Sequence, residues 1–194
     1  MSLDWQYKFA LKSQHFSETR IRGHYYLLNQ FIYFSDDKTP TQESRSMHVV
    51  QGEITQNFHY KHFHLDNFIL LQYSNLSRLL NLPNISTKHS FYYENFLFKK
   101  ALLARIGLDL RYWTNHNPYG YDPFLAQFYV QNDIRTGMLP VLDVFLNLRV
   151  KTVRIYIKGN NLLQGIGQPA YYTAILYPGD ERSFKFGVSW RFLD

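Results

Sequence analysis

The residues with the clearest chemical potential are charged side chains that recur at every second position within apolar segments. In residues 101–113, Arg105, Asp109 and Arg111 alternate with leucine and isoleucine. Because successive side chains of a strand point to opposite faces, these charges would share one face. The full candidate set is Arg105, Asp109, Arg111, Asp143, Arg149, Arg154, Lys158, Lys185 and Arg191, with Arg20, Arg22 and Glu53 on earlier segments. A cationic face would attract anions, whereas a charge-balanced face would be a solvated wall without selectivity.

Three closely spaced histidines, His59, His62 and His64, are the candidate metal ligands. Imidazole nitrogens are common zinc ligands, but they must converge on one point. On one uninterrupted strand His62 and His64 share a face and His59 takes the other, so the three converge only if a turn intervenes. The pattern favours polar residues at a turn over a metal site, and we expect no cofactor.

Catalytic and nucleotide-binding motifs are weak in this sequence. Gly165-Ile166-Gly167 lacks the rest of a dinucleotide fingerprint and does not lie between a strand and a helix. No serine occupies a nucleophile-elbow motif. We therefore expect no enzymatic activity and keep an outer-membrane hydrolase as an alternative class of function.

Alternation of apolar and polar residues predicts the strands that carry these side chains. The last segment shows it clearly, with Phe184, Phe186 and Val188 on one side and Lys185 and Ser189 on the other. The predicted strands are 3–12, 20–34, 45–61, 67–74, 89–98, 101–113, 140–150, 153–160 and 182–194.

The connections between these strands alternate in length. Short connections are predicted at 13–19, 62–66, 98–101 and 150–152, and long ones at 35–44, 75–88, 114–139 and 163–181. Consecutive connections of an up-and-down sheet lie at opposite ends, so the short ones would gather at one end. Segment 124–132 could form a further strand, but that would place long connections at both ends. We therefore assign it to the long loop as an extended piece, and we expect a helical turn near 76–80.

Composition narrows the class of protein. The chain has 194 residues, enough for one sizeable domain, and 18% of them are aromatic, which favours strands. Mean hydropathy is −0.34, and no run of about 18 apolar residues occurs, so no transmembrane helix is predicted. There is no cysteine. The net charge is +6, but lysine and arginine are spread singly rather than clustered, so we expect no nucleic-acid partner.

These features together predict an all-β, antiparallel, up-and-down transmembrane β-barrel with about nine crossings. Its apolar face would meet lipid and its charged face would line the lumen. Aromatic residues near strand ends would form girdles at the two membrane interfaces. They are Trp5, Tyr25, Tyr33, Tyr60, Tyr112, Trp190 and Phe192. A soluble, lipocalin-like ligand-binding barrel, with an apolar inside, is the alternative.

The predicted strand count bears on domain organisation. Nine is odd, whereas single-chain bacterial barrels usually have even counts. Residues 1–5 also lack the basic and apolar regions of a signal peptide. We therefore expect residues 1–194 to be the C-terminal part of a single, larger, even-stranded outer-membrane barrel domain, whose other strands close the open edge.

Several segments of the C-terminal half resemble the Putative porin family of Bacteroidetes. They are 107–113, 121–123, 127–131, 139–147, 153–162 and 177–192. The resemblance implies an outer-membrane channel that passes polar solutes passively or semi-selectively, without catalytic residues. The C-terminal segment from Tyr177-Pro178 to Trp190 and Phe192 is also similar to the last strands of TonB-dependent receptors. The C-terminal barrel segment of such a receptor is therefore an alternative interpretation.

The resemblance also implies partners and a location. The location is the outer membrane of a Gram-negative cell envelope. The implied partners are outer-membrane lipid, polar small solutes, and the barrel-assembly machinery, which would bind the terminal strand. Self-association into a homo-oligomer stays open.

Overall fold

The structure is a computed structural model that describes residues 2–11, 16–137, 140–166 and 172–192. In chain order the strands are β1 (Ser2–Leu11), β2 (Phe16–Leu28), β3 (Ile32–Phe34), β4 (Pro40–Gln42), β5 (Met47–Tyr60), β6 (Phe63–Ser74), β7 (Ile85–Leu97), β8 (Leu102–Trp113), β9 (Gly120–Asp122), β10 (Gln127–Tyr129), β11 (Val141–Val150), β12 (Val153–Asn160), β13 (Tyr172–Ala174), β14 (Tyr177–Pro178) and β15 (Ser183–Trp190). A short helical turn, α1 (Ser77–Leu80), lies between β6 and β7. Within these ranges, no helix has the length and apolar character needed to cross a membrane.

One antiparallel sheet of nine strands dominates the fold, in the order β1-β2-β5-β6-β7-β8-β11-β12-β15. Each strand pairs with the next one of this sheet along the chain, which confirms the all-β, antiparallel prediction. The terminal strand β15 pairs with β12, as expected from the sequence, and Ile155 lies opposite Val188. Among the described residues β1 and β15 form the two edges of the sheet and do not pair with each other, so the sheet is not closed.

The predicted alternation of connection lengths is confirmed from β2 to β15, whereas the connection between β1 and β2 lies outside the described residues. Residues 61–62, 98–101 and 151–152 form short connections, whereas 29–46, 75–84, 114–140 and 161–182 form long ones. Because neighbouring strands are antiparallel, all short connections lie at one end of the sheet, the turn end, and all long ones at the other, the loop end. Lys61 and Lys151 adopt positive φ angles of 54° and 50°, which lets the chain reverse within two residues.

The long loops contain small strands of their own. β9 pairs with β10 outside the main sheet, which confirms that segment 124–132 belongs to the loop. β3 pairs with β4, and β13 pairs with β14, and neither hairpin was predicted.

Several predicted boundaries are wrong, and one of them is the start of β7, which lies at Ile85 rather than at 89. Segment 20–34 is two strands, because Gln30 has a positive φ of 54° and β3 leaves the main sheet. Residues 16–19 belong to β2 rather than to a connection, and residues 12–15 lie outside the described ranges. β6 begins at Phe63 rather than at 67, because the reversal occurs at 61–62.

Candidate functional site: the charged face of the sheet

The register places the predicted charged residues on one face, here called the polar face. Across β8, β11, β12 and β15, Asp109 lies opposite Asp143, Arg149 opposite Arg154, and Lys158 opposite Lys185. Directly opposed residues of antiparallel strands point to the same side of the sheet. Arg105 and Arg111 lie at even spacing from Asp109 on β8 and share this face, as do Arg20, Arg22 and Glu53 on β2 and β5. Arg191 follows β15 and donates its backbone N–H to Thr152.

The opposite face, here called the apolar face, is lined by large hydrophobic side chains that are exposed. Val50 is 50% exposed, Ile106 53%, Phe186 75% and Val188 66%. Exposed apolar area of this extent marks an interaction surface, for a membrane or for another protein.

Asp143 organises the charges at the loop end of the polar face. Its Oδ2 atom lies 3.0 Å from Nη2 of Arg111 and 3.0 Å from Nζ of Lys158. Its Oδ1 atom accepts the backbone N–H of Asn161 at 2.9 Å. The Asp143 side chain is only 2% exposed, so two cations from neighbouring strands hold a buried carboxylate in place.

Other cations of the polar face are also neutralised. Arg105 donates to Oε2 of Glu94 through Nη2 at 2.6 Å and through Nε at 2.7 Å. Arg22 lies 3.3 Å from Glu53. The carboxylate of Asp109 accepts the hydroxyl of Ser90 at 2.6 Å. Much of the positive charge seen in the sequence is therefore balanced within the face.

A stack of planar side chains crosses four strands near the turn end of the polar face. The rings of His59 and His64 lie 4.3 Å apart, and those of His64 and Tyr92 lie 4.6 Å apart. The guanidinium of Arg105 lies 4.5 Å from the centre of the Tyr92 ring. Alternation alone did not reveal this stack, although the reversal at 61–62 pairs His59 with His64.

The candidate metal ligands do not converge. A turn does intervene, but His59 and His64 stack face to face, while His62 contacts the backbone carbonyl of Glu94 instead. The described ranges contain no group of three or more histidine or acidic residues suited to a metal ion.

The described parts of three long loops, 29–46, 75–84 and 161–182, each contact the fourth, 114–140, and the four are here called the loop layer. The Val130 amide donates to the Phe34 carbonyl at 2.8 Å, the Ile175 amide donates to Tyr119, and Asn81 Nδ2 donates to Gln131. The loop layer also packs on the polar face, where Met47, Val49 and Leu76 form a buried apolar cluster with Tyr26, Phe31, Leu79 and Leu80. The loops therefore cover the polar face at the loop end.

Two groups in the loop layer have pKa values that follow from burial. The hydroxyl of Tyr119 donates to the carbonyls of Leu79 and Leu80, and burial raises the pKa of Tyr119 to about 12. Burial also lowers the pKa of His116. His116 lines a polar cleft of about 580 Å³ together with Arg78 and Arg135, and its neutral form is favoured there.

An ion pair braces two of these loops. Nζ of Lys38 lies 2.8 Å from Oδ2 of Asp122, which is nearly buried. The hydrogen bond from Lys38 is the main cause that lowers the pKa of Asp122, with help from the Leu125 and Phe124 amides. The brace joins the β3–β4 hairpin to the β9–β10 hairpin.

The remaining sequence predictions have mixed outcomes. Of the predicted girdle residues, Tyr25, Tyr60, Tyr112 and Trp190 lie on the apolar face, and Phe192 stacks on Trp190 at 4.6 Å. Trp5 lies in β1 opposite Gly23. Tyr33 is wrongly included, because β3 is outside the main sheet. Gly165 lies in a turn with φ 77°, and Gly167, Leu193 and Asp194 lie outside the described residues.

Comparison with known proteins extends the resemblance seen in the C-terminal half. The model of the Putative porin family matches residues 4–194, which includes the first strands of the sheet. No curated protein matches the chain. Because the match spans almost the whole chain, the protein belongs to the Putative porin family.

Proposed function

We propose that the protein is an outer-membrane, porin-like β-barrel through which polar solutes pass passively or semi-selectively. One contrast carries the proposal. Asp143 is 2% exposed on the polar face, beneath the loops, whereas Phe186 is 75% exposed on the apolar face. The loops cover the polar face at the loop end and leave the apolar face uncovered. This arrangement suits a chain whose exterior meets lipid and whose interior meets water.

Closure of the barrel is part of this proposal. Lipid does not tolerate the unsatisfied backbone groups of an open sheet edge. In the membrane, β1 and β15 would therefore each need a partner, and further strands would supply it. The apolar face would then contact outer-membrane lipid, and the amphipathic β15 would be the segment that the assembly machinery binds.

The proposed mechanism depends on pore width and lumen charge rather than on catalysis. The polar face supplies hydrated, largely balanced charges, and the loop layer narrows the loop end. Solutes would be sorted by size at the loops and by charge along the strands.

Single-channel recording in planar bilayers tests this proposal. We expect stepwise, ohmic conductance from the folded protein with the strands that close its barrel, because the lumen would be a permanent water-filled path. Circular dichroism of the same preparation would establish that it is folded. A folded, inserted protein that carries no current would contradict the channel and favour a structural or receptor role.

A further inference from the structure

Arg149 and Arg154 are two neighbouring cations of the polar face. They lie directly opposite each other on β11 and β12, beside the turn at 151–152. Like charges in this arrangement destabilise an antiparallel pair. Neither side chain forms an ion pair with any residue that the structure describes, although Arg22, Arg105, Arg111 and Lys158 each contact a carboxylate.

The neighbouring strands do not neutralise this pair. Arg149 lies opposite Leu103 of β8, and Arg154 lies opposite Ser189 of β15. Glu94 lines the same groove as the two arginines, but its carboxylate already binds two nitrogens of Arg105. Since β8 and β15 occupy both sides of the pair, an additional strand at a sheet edge would not adjoin either arginine.

The two arginines line a groove of about 460 Å³ on the polar face. Asn147, Tyr156 and Ser189 contribute to the same lining and carry hydrogen-bonding groups. A guanidinium presents its N–H groups as a planar fork that matches carboxylate and phosphate oxygens. The groove thus combines unneutralised charge, neutral donors and space for a small solute.

We propose that Arg149 and Arg154 form a binding site for a small oxyanion, of phosphate or carboxylate type, at the turn end of the polar face. The bound anion would neutralise the opposed guanidiniums and would favour anions among the solutes that the lumen admits. This inference rests on the proposed function for its role in transport, but the binding itself does not require conduction.

Calorimetric titration of the detergent-refolded protein with inorganic phosphate, and separately with succinate, tests the site. In R149Q/R154Q we expect affinity to fall by about a hundredfold, because each of the two lost charge-assisted hydrogen bonds contributes roughly tenfold. The matched control is K99Q/K100Q, which removes two positive charges from the exposed turn at 98–101, at the same end of the sheet. Its affinity should stay within about twofold, because its charges are screened.

Unfolding by urea gives a second readout. Phosphate or succinate should raise the midpoint of the wild-type protein and of K99Q/K100Q, but not that of R149Q/R154Q. Without ligand, R149Q/R154Q should be at least as stable as the wild type, because the opposed charges are gone.

Equal losses of affinity in both double variants would mean that the anions respond to the overall positive charge of the protein and not to a specific site. If neither phosphate nor succinate binds the folded wild-type protein, the proposed site is overturned. A protein that binds either anion through these arginines but does not conduct would uphold the site and remove the channel. The two proposals can therefore fail separately.

Discussion

Asp143 has three polar partners on the polar face among the residues that the structure describes. It is nearly buried, it contacts Arg111 and Lys158 at 3.0 Å each, and it accepts the Asn161 amide. An asparagine of the same shape would keep an acceptor for that amide but lose the charge that holds both cations. We expect Asp143→Asn to lower the free energy of unfolding by about 1–3 kcal/mol, as seen when a charged partner is lost.

Urea unfolding in detergent micelles measures this effect. The matched control is Asp133→Asn, in an exposed position of the loop 114–140, which should change stability by less than about 0.5 kcal/mol. Equal effects of the two substitutions would show that the Asp143 ion pairs contribute nothing.

Two glycines of the sheet differ in how closely their neighbours approach. A Cβ atom at Gly107 would lie 2.5 Å from the Phe91 carbonyl oxygen and 2.5 Å from Cβ of Tyr92, whereas a Cβ at Gly52 would meet nothing within 4 Å. Because backbone atoms cannot move aside easily, Gly107→Ala should destabilise the protein by about 1–3 kcal/mol. Gly52→Ala should be neutral or slightly stabilising, because alanine loses less conformational entropy on folding.

The same unfolding assay compares the two alanine variants. If Gly52→Ala lowers the free energy of unfolding as much as Gly107→Ala does, the close packing of β7 against β8 at Gly107 does not cause the destabilisation.

For single residues, the sequence predicts on which face of the sheet a side chain lies but not which residues it contacts. Alternation correctly assigns Arg105, Asp109 and Arg111 to one side, because the side-chain period of a strand is fixed. It does not reveal that Arg105 binds Glu94 or that His59 stacks on His64, since those contacts depend on register between strands.

At the scale of elements, the brace between Lys38 and Asp122 makes a pH-dependent prediction. The pKa of Asp122 is lowered in the folded state, mainly by the hydrogen bond from Lys38. The stabilisation is therefore complete above the unfolded pKa of about 3.9 and is lost as pH falls through the lower, folded value. We expect the Val130 amide, which donates to Phe34 across the braced loops, to keep its protection down to about pH 4 and to lose it below.

Amide hydrogen exchange, expressed as a protection factor at each pH, checks this. Lys38→Gln should lower the protection of Val130 already at neutral pH, whereas the control Lys99→Gln, in a distant turn, should leave it unchanged. Protection that is insensitive to both pH and Lys38→Gln would mean that the brace does not hold the loops together.

The element boundaries show where sequence patterns reach their limit. Segment 20–34 was predicted as one strand, yet the positive φ of Gln30 divides it into β2 and β3. Hairpins β3–β4 and β13–β14 are too short to give a periodic signal and depend on contacts between loops. By contrast, the assignment of 124–132 to a loop is correct, because it follows from connection lengths.

At the scale of the whole molecule, topology was the most predictable property. Alternating connection lengths imply consecutive antiparallel pairing, and the sheet has that order. The loop layer was not predictable, because its contacts join residues far apart in the chain, such as Tyr119 with Leu80 and Asn81 with Gln131. That layer is what distinguishes the enclosed, charged side from the uncovered, apolar side.

The proposed function requires that the apolar face meets lipid and that the polar face meets water. The chain contains no cysteine, so a nitroxide attached to an introduced cysteine reports on one position only. Suitable apolar-face sites are Ile106 and Phe186, and their polar-face counterparts are Asn147 and Lys185.

The decisive measurement is made in lipid vesicles and compares how often each nitroxide collides with two reagents. Oxygen is enriched in lipid, whereas a nickel chelate is soluble only in water. Labels at Ile106→Cys and Phe186→Cys should be reached by oxygen and shielded from nickel, and labels at Asn147→Cys and Lys185→Cys should show the reverse. Nickel access at Ile106 and Phe186, or oxygen-rich surroundings at Asn147 and Lys185, would contradict the account and indicate a soluble barrel with an apolar interior.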